Sequence, residues 1–148
     1  MKFLIIAGLL LFASVAKAEE ISVVAHGLSY HTTNASDYNQ ENFGLGLRLD
    51  FSNIAVQAGS YKNSYSQNSN YLALDLNLWK YSVSDQLKFE LGPMLGLATG
   101  YPDYDLILGP GLQAAVKYDN FYIRSRMMPA LTTPLVVSVE LGYTLFRF

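Results

Sequence analysis

The sequence contains no cysteine, so no disulfide can staple a small domain and no thiolate can act as nucleophile or metal ligand. Beyond residue 18 there is no stretch of 18 uncharged apolar residues, which excludes a membrane-spanning helix from that part of the chain. Basic residues are few and scattered, 10 against 12 acidic ones, and nothing resembles the basic stripe of a nucleic-acid partner. The two histidines lack a companion cysteine pair or carboxylate cluster, so no metal site is expected. There is no GxSxG elbow and no phosphate-cradling glycine loop, and no cofactor is expected. What remains is 51% apolar and 14% aromatic in 148 residues, enough for one domain.

The first residues supply an address. Lys2 precedes an apolar run from Phe3 to Val15, and Ala16-Lys17-Ala18 offers small residues for a signal peptidase. Residues 1–18 read as a cleaved secretory signal and 19–148 as the mature domain, which then carries 8 basic and 12 acidic residues.

Within 19–148 the apolar residues recur at every second position. Phe43, Leu45, Leu47, Leu49 and Phe51 alternate with Gly44, Gly46, Arg48 and Asp50, and Leu72, Leu74, Leu76 and Leu78 with Ala73, Asp75, Asn77 and Trp79. That is a strand period, not a helical one. Weaker versions cover 21–31, 53–61, 86–98, 106–118, 121–128 and 135–148, giving eight segments in all. Their connections alternate between short turns, such as Asp119-Asn120, and longer polar or proline-containing loops, with 79–85 as an exception on the short side. An exported, cysteine-free chain of this pattern is expected to be all-β, an eight-stranded antiparallel transmembrane β-barrel in the cell outer membrane. Its long loops would be extracellular, and it is expected as a monomer. The final Phe146-Arg147-Phe148 suits the closing strand of such a barrel.

Parity supports this. With Leu45, Leu74, Phe89, Ile123 and Leu141 facing lipid, Arg48, Asp50, Asp75, Lys88, Glu90, Arg124, Arg126 and Glu140 face inward. A lipid-facing Arg or Lys near the midplane costs roughly 2–4 kcal/mol. Eight strands leave a lumen filled by side chains, so no pore is expected. The charges fall in the lower and middle lumen. Above them Gly44, Gly46, Gly59, Gly92, Met94, Gly96, Ala98, Ile107, Gly109 and Gly111 leave room that a hydrocarbon chain could occupy, or they relieve crowding in a curved sheet. His26 lies within the first strand, on one face with Val24, Leu28 and Tyr30, and is the in-strand group titrating near neutrality. His31 is expected as a solvated polar residue at a loop edge. Ser64 sits in the loop YKNSYSQNSNY, whose polarity a solvent-exposed tip already explains.

The order of landmarks resembles the outer-membrane lipid A palmitoyltransferases, the PagP family. The resemblance rests on His26 in the first strand, Tyr38-Asn39-Gln40 before Gly44 and Gly46, Lys62-Asn63-Ser64 after the third strand, and the closing Phe146-Arg147-Phe148. It runs over nearly the whole mature chain. It implies transfer of a palmitoyl-like acyl chain from a glycerophospholipid to lipid A, with His26, Asn63 and Ser64 in the catalytic positions. It also implies an acyl slot in the outer half of the barrel and a lipid gate at Pro110 and Pro129. Asn63 stands where the family has Asp, so a carboxylate that would balance an imidazolium is missing at that position. The family's preceding amphipathic helix has no counterpart in the pattern, which turns to strand at about residue 21. The alternative is a non-enzymatic surface barrel of the OmpX type. A lipid A deacylase barrel is disfavoured, because neither histidine begins a His-x-Ser pair.

Overall fold

The computed structural model describes residues 18–33, 37–129 and 135–148. Apart from Ala18, the expected signal segment lies outside them. The described chain is all-β: β1 Glu20–His31, β2 Glu41–Phe51, β3 Ile54–Lys62, β4 Asn68–Leu76, β5 Trp79–Ser82, β6 Leu87–Ala98, β7 Ile107–Tyr118, β8 Phe121–Met128 and β9 Val136–Arg147. Except for β4 and β5, neighbours in sequence pair antiparallel, β9 pairs back onto β1, and β4 pairs with β6. The sheet therefore closes on itself as a barrel.

The ninth strand is a break in one stave, so the barrel still has eight. Instead of one run over 72–79, the chain leaves β4 at Leu76, turns through Asn77-Leu78 with Leu78 N–H donating to the Leu76 carbonyl at 3.1 Å, and resumes as β5. Both halves pair with β6. The turn crosses directly over Gly92, where a Cβ would run into the Leu76 carbonyl. The adjacent Pro93 brings no N–H that the interrupted ladder would have to satisfy. The irregular 79–85 connection is thus half strand.

The lower end carries the tight hairpins. Phe51 pairs with Ile54 and Tyr118 with Phe121, and Ser52 and Asp119 adopt positive φ values of 25° and 52°. The upper end carries the longer loops. Outward-facing Leu45, Leu74, Ile123 and Leu141 are exposed, Leu45 by 72%. Trp79, Tyr81, Tyr118, Phe121, Phe146 and Phe148 add exposed aromatic rings towards the lower end.

The lumen is the reverse of a globular core. Four cations, Arg48, Lys117, Arg124 and Arg126, and four anions, Asp50, Asp75, Glu90 and Glu140, are all buried. Arg126 donates to Asp75 Oδ1 at 2.6 Å and Oδ2 at 3.0 Å, and to Gln57 Oε1 at 3.0 Å; Gln57 in turn donates to Glu140 Oε2 at 2.9 Å. Arg48 pairs with Asp50 at 2.9 Å and also with Asp75. Arg124 bridges Gln113 and Glu140. Lys88 faces the lower mouth with Asp50, Glu90 and Lys117 but is exposed there, and the fourth buried cation is Lys117, paired with Glu20 at 2.6 Å. Both lysines have the inward parity and are direct partners in the β6–β7 ladder, but only Lys117 is held by Glu20 and Glu90.

A correction concerns β1. Its register with β2 and β9 slips just after His26, at a bulge around Gly27. His26 stays inward with Val24, but Leu28 and Tyr30 turn outward, 59% and 57% exposed. Ser29 and His31 turn inward in their place.

Asp75 receives three arginines, so replacing it leaves cations unpaired in a closed lumen. Asp75→Ala is expected to lower stability by about 3–5 kcal/mol. Urea unfolding of the refolded barrel in lipid vesicles measures this.

Candidate functional site

Above the charge network the lumen opens into a cavity of about 130 Å³. Arg126 and Met94 form its floor, with Arg126 Nη1 3.4 Å from the Met94 sulfur. Ala98, Ile107 and Met128 contribute apolar wall, and His26, Ser29 and Ser64 contribute polar groups. The volume approaches that of the roughly 150 Å³ apolar void that can hold benzene. It therefore accepts a short length of hydrocarbon, and movement of the flexible Met94 and Met128 side chains is the means of lengthening it.

Met94, Gly96, Ile107 and Gly109, four of the residues assigned to the slot, line this cavity, as does Ala98. Gly44, Gly46, Gly59, Gly92 and Gly111 do not. A Cβ on Gly46 or Gly59 would meet the Tyr71 side chain, and one on Gly44 would meet Tyr61. Gly92 is covered by the Leu76 carbonyl, and Gly111 by Met127 and Met128. On the β2–β3 wall, then, the missing side chains are replaced by tyrosine rings rather than by open space.

His26 projects into the cavity with its side chain 15% exposed. Its ring lies edge-on to Tyr71 at 4.8 Å and 5.5 Å from Tyr61. Nε2 is buried without a hydrogen-bond partner. Nδ1 is 3.8 Å from Glu140 Oε2. That separation exceeds a hydrogen bond but is well within range for a carboxylate to favour an imidazolium. His26 and Glu140 are direct partners in the β1–β9 ladder.

Ser64 shares the cavity with His26, but no hydrogen bond joins the two among the described residues. Asn63 is fully buried and faces a different task. Its amide donates to Ser69 Oγ at 3.0 Å and to the Gly100 carbonyl at 2.7 Å. Its Oδ1 accepts from Tyr65 N–H at 2.9 Å and Gln67 N–H at 3.0 Å. The amide is thus spent on holding the β3–β4 connection together, and one of its N–H groups ties that loop to the β6–β7 loop at Gly100. The expected placement of Asn63 beside His26 is not found, and the carboxylate near that imidazole is Glu140. His31 is also not solvated: it is 3% exposed and stacks on Tyr38 at 4.4 Å.

The wall beside the cavity is incomplete in its hydrogen bonding. The β7–β8 ladder reaches no higher than Leu112 opposite Met127. Ile107 to Gly111 are paired with β6 but, among the described residues, have no ladder on the β8 side. Pro110 lies in this segment and Pro129 just beyond the end of β8, both exposed.

Ser29 and Glu140 were missed as neighbours of the site for one reason. The bulge at Gly27 and the β1–β9 closure register decide who meets His26, and neither is written in the alternation of a single strand. Because Asn63 is a loop tie, Asn63→Ala is expected to cost about 1–3 kcal/mol. It should also raise amide exchange at Tyr65 and Gln67 while leaving the His26 ring signals in place, as read by NMR.

No family model matches the chain, and no curated protein matches it. Its fold is similar to the solution NMR structure of the de novo designed TMB2.3, with a TM-score of 0.58 and 18% identity over 88% of this chain and 97% of that one. At such identity the likeness shows the closed barrel fold alone.

Proposed function

We propose that this protein is an outer-membrane lipid A acyltransferase that moves a fatty acyl chain from a glycerophospholipid to a hydroxyl of lipid A. One observation carries the reading: His26, whose buried Nε2 has no hydrogen-bond partner among the described residues, lines a largely apolar cavity in the upper barrel, beside a wall segment that lacks a ladder on one side. The exposed apolar outer face and lower aromatic rings suit a bilayer, and the neutral, interlocked lower lumen suits a barrel closed to through-flow. The longer loops then face outward, towards lipid A in the outer leaflet.

The chemistry needs few parts. A phospholipid acyl chain enters past Pro110 and Pro129 and rests between Met94, Ile107 and Met128, which places its ester near His26. Nε2 of His26 takes the proton of the acceptor hydroxyl, whose oxygen attacks the acyl carbonyl. The new ester C–O bond forms and the phospholipid ester C–O bond breaks. The departing glycerol oxygen recovers the proton, leaving a lysophospholipid. Glu140 balances the transient imidazolium, the role that Asn63 is too far committed to fill, and Ser64 positions the reacting ester or hydroxyl from the rim. No cofactor or metal enters this scheme.

The plugged lower lumen equally suits a non-enzymatic OmpX-type surface barrel, and one experiment separates the two. The protein is expressed in a Gram-negative host lacking its own acyltransferase, and lipid A is analysed by mass spectrometry. An added acyl chain is expected, falling by roughly 10²–10⁴-fold in His26→Gln and strongly in Ser64→Ala. Unchanged lipid A, with the barrel shown folded in the outer membrane, would favour the surface-barrel reading.

A further inference from the structure

The two ends of the barrel differ sharply in charge. From residue 19 onward the cations are Arg48, Lys62, Lys80, Lys88, Lys117, Arg124, Arg126 and Arg147, and of these only Lys62 stands at the upper end. The same end carries Asp37, Glu41, Asp103 and Asp105, and positions 34–36 and 130–134 add no charge. A headgroup gripped by its phosphates requires Arg or Lys at the point of contact. This mouth would instead repel phosphate, and among the described residues no group of three acidic or histidine side chains is placed to bridge it through a metal ion.

In place of cations the mouth presents rings. His31 stacks on Tyr38 at 4.4 Å, Tyr38 meets Tyr65 edge-on at 5.8 Å, and Tyr65 meets Tyr101 edge-on at 6.0 Å. The Tyr101 hydroxyl is 2.9 Å from that of Tyr61, whose ring lies 5.5 Å from His26. The aromatic series thus runs from the rim to the imidazole. Tyr65 is 40% exposed. Burial, and then the neighbouring Tyr61 hydroxyl, raise the Tyr101 phenol above its ordinary value, so it remains a neutral hydrogen-bonding group. Around these rings stand Asn39, Ser64, Ser66 and Gln67, neutral donors and acceptors without a formal charge.

Rings with polar tips, amid amides and hydroxyls and with Lys62 as the lone cation at that end, match one ligand chemistry. The apolar C–H face of a sugar ring packs on an aromatic face while its hydroxyls exchange hydrogen bonds with the neighbouring amides. We propose that the collar of Tyr38, Tyr65 and Tyr101 is a saccharide-binding platform that holds the acyl acceptor by an uncharged sugar ring and not by its phosphates. The inference deepens the acyl-transfer reading and rests on it for the word acceptor; saccharide binding itself can be measured without any transfer.

The test uses the mature chain refolded in zwitterionic detergent micelles, with tyrosine rings isotope-labelled and followed by NMR. The probes are an N-acetylglucosamine disaccharide and its bisphosphorylated form. The unphosphorylated disaccharide is expected to shift the Tyr65 and Tyr101 ring signals saturably, and the bisphosphate to bind roughly tenfold more weakly or worse. Tyr65→Ala should weaken binding by roughly tenfold, and Tyr65→Trp should preserve it. Tighter binding of the bisphosphate, or no saturable shift with either sugar, overturns the platform. Sugar binding that persists in a protein with no effect on lipid A would contradict acyl transfer and leave the platform standing.

Discussion

The structure depends on the neutrality of its lower lumen. Eight antiparallel staves fix a narrow interior, and an apolar outer face forces the polar residues of each strand inward. Charges confined in this way are tolerable only when each has partners. Here three arginines and one lysine meet four carboxylates, and Gln57 and Gln113 add further hydrogen bonds to Arg126 and Arg124. Asp75 and Glu140 are the shared nodes, each reached by two or more arginines. Because these contacts join strands far apart in sequence, they favour one register of closure over its neighbours, which a featureless apolar lumen would not do.

The network also divides the barrel. Below Arg126 the lumen is occupied; above it, small and flexible side chains leave the cavity. Glu140 belongs to both regions. It accepts from Gln57 and the arginines beneath, and it is the carboxylate nearest His26 above. The polar plug therefore supplies both closure of the barrel and the negative charge beside the imidazole. In the acyl-transfer proposal that carboxylate would balance the imidazolium, while Asn63 ties the β3–β4 loop to the β6–β7 loop.

Much of this arrangement was legible because strand parity is a strong signal. The apolar face of Leu45 and Leu47, the inward Arg48 and Arg124, and the tight turn at Asp119 all follow from alternation and turn chemistry. What alternation does not carry is any event that changes its phase. The bulge at Gly27 reversed the facing of Leu28, Ser29, Tyr30 and His31, and the break at Asn77-Leu78 split one expected strand in two. Burial was also only partly readable: Lys88 and Lys117 share the inward parity and face each other in the ladder, and the buried one is the lysine held by Glu20 and Glu90. Glycines gave the weakest guide. Those on β2 and β3 mark where Tyr61 and Tyr71 lie, because a missing side chain in a closed lumen shows equally well that a neighbour fills the space.

The central claim is that the upper cavity is an acyl-chain site served by His26. The most direct measurement is an experimental structure of the refolded mature chain in a single-chain alkyl detergent. The account predicts an alkyl tail inside the barrel, its end between Met94, Ile107 and Met128 and its polar end within reach of His26 Nε2. Alkyl chains confined to the outer wall, with Met94 and Met128 closing the cavity over Arg126, would contradict it.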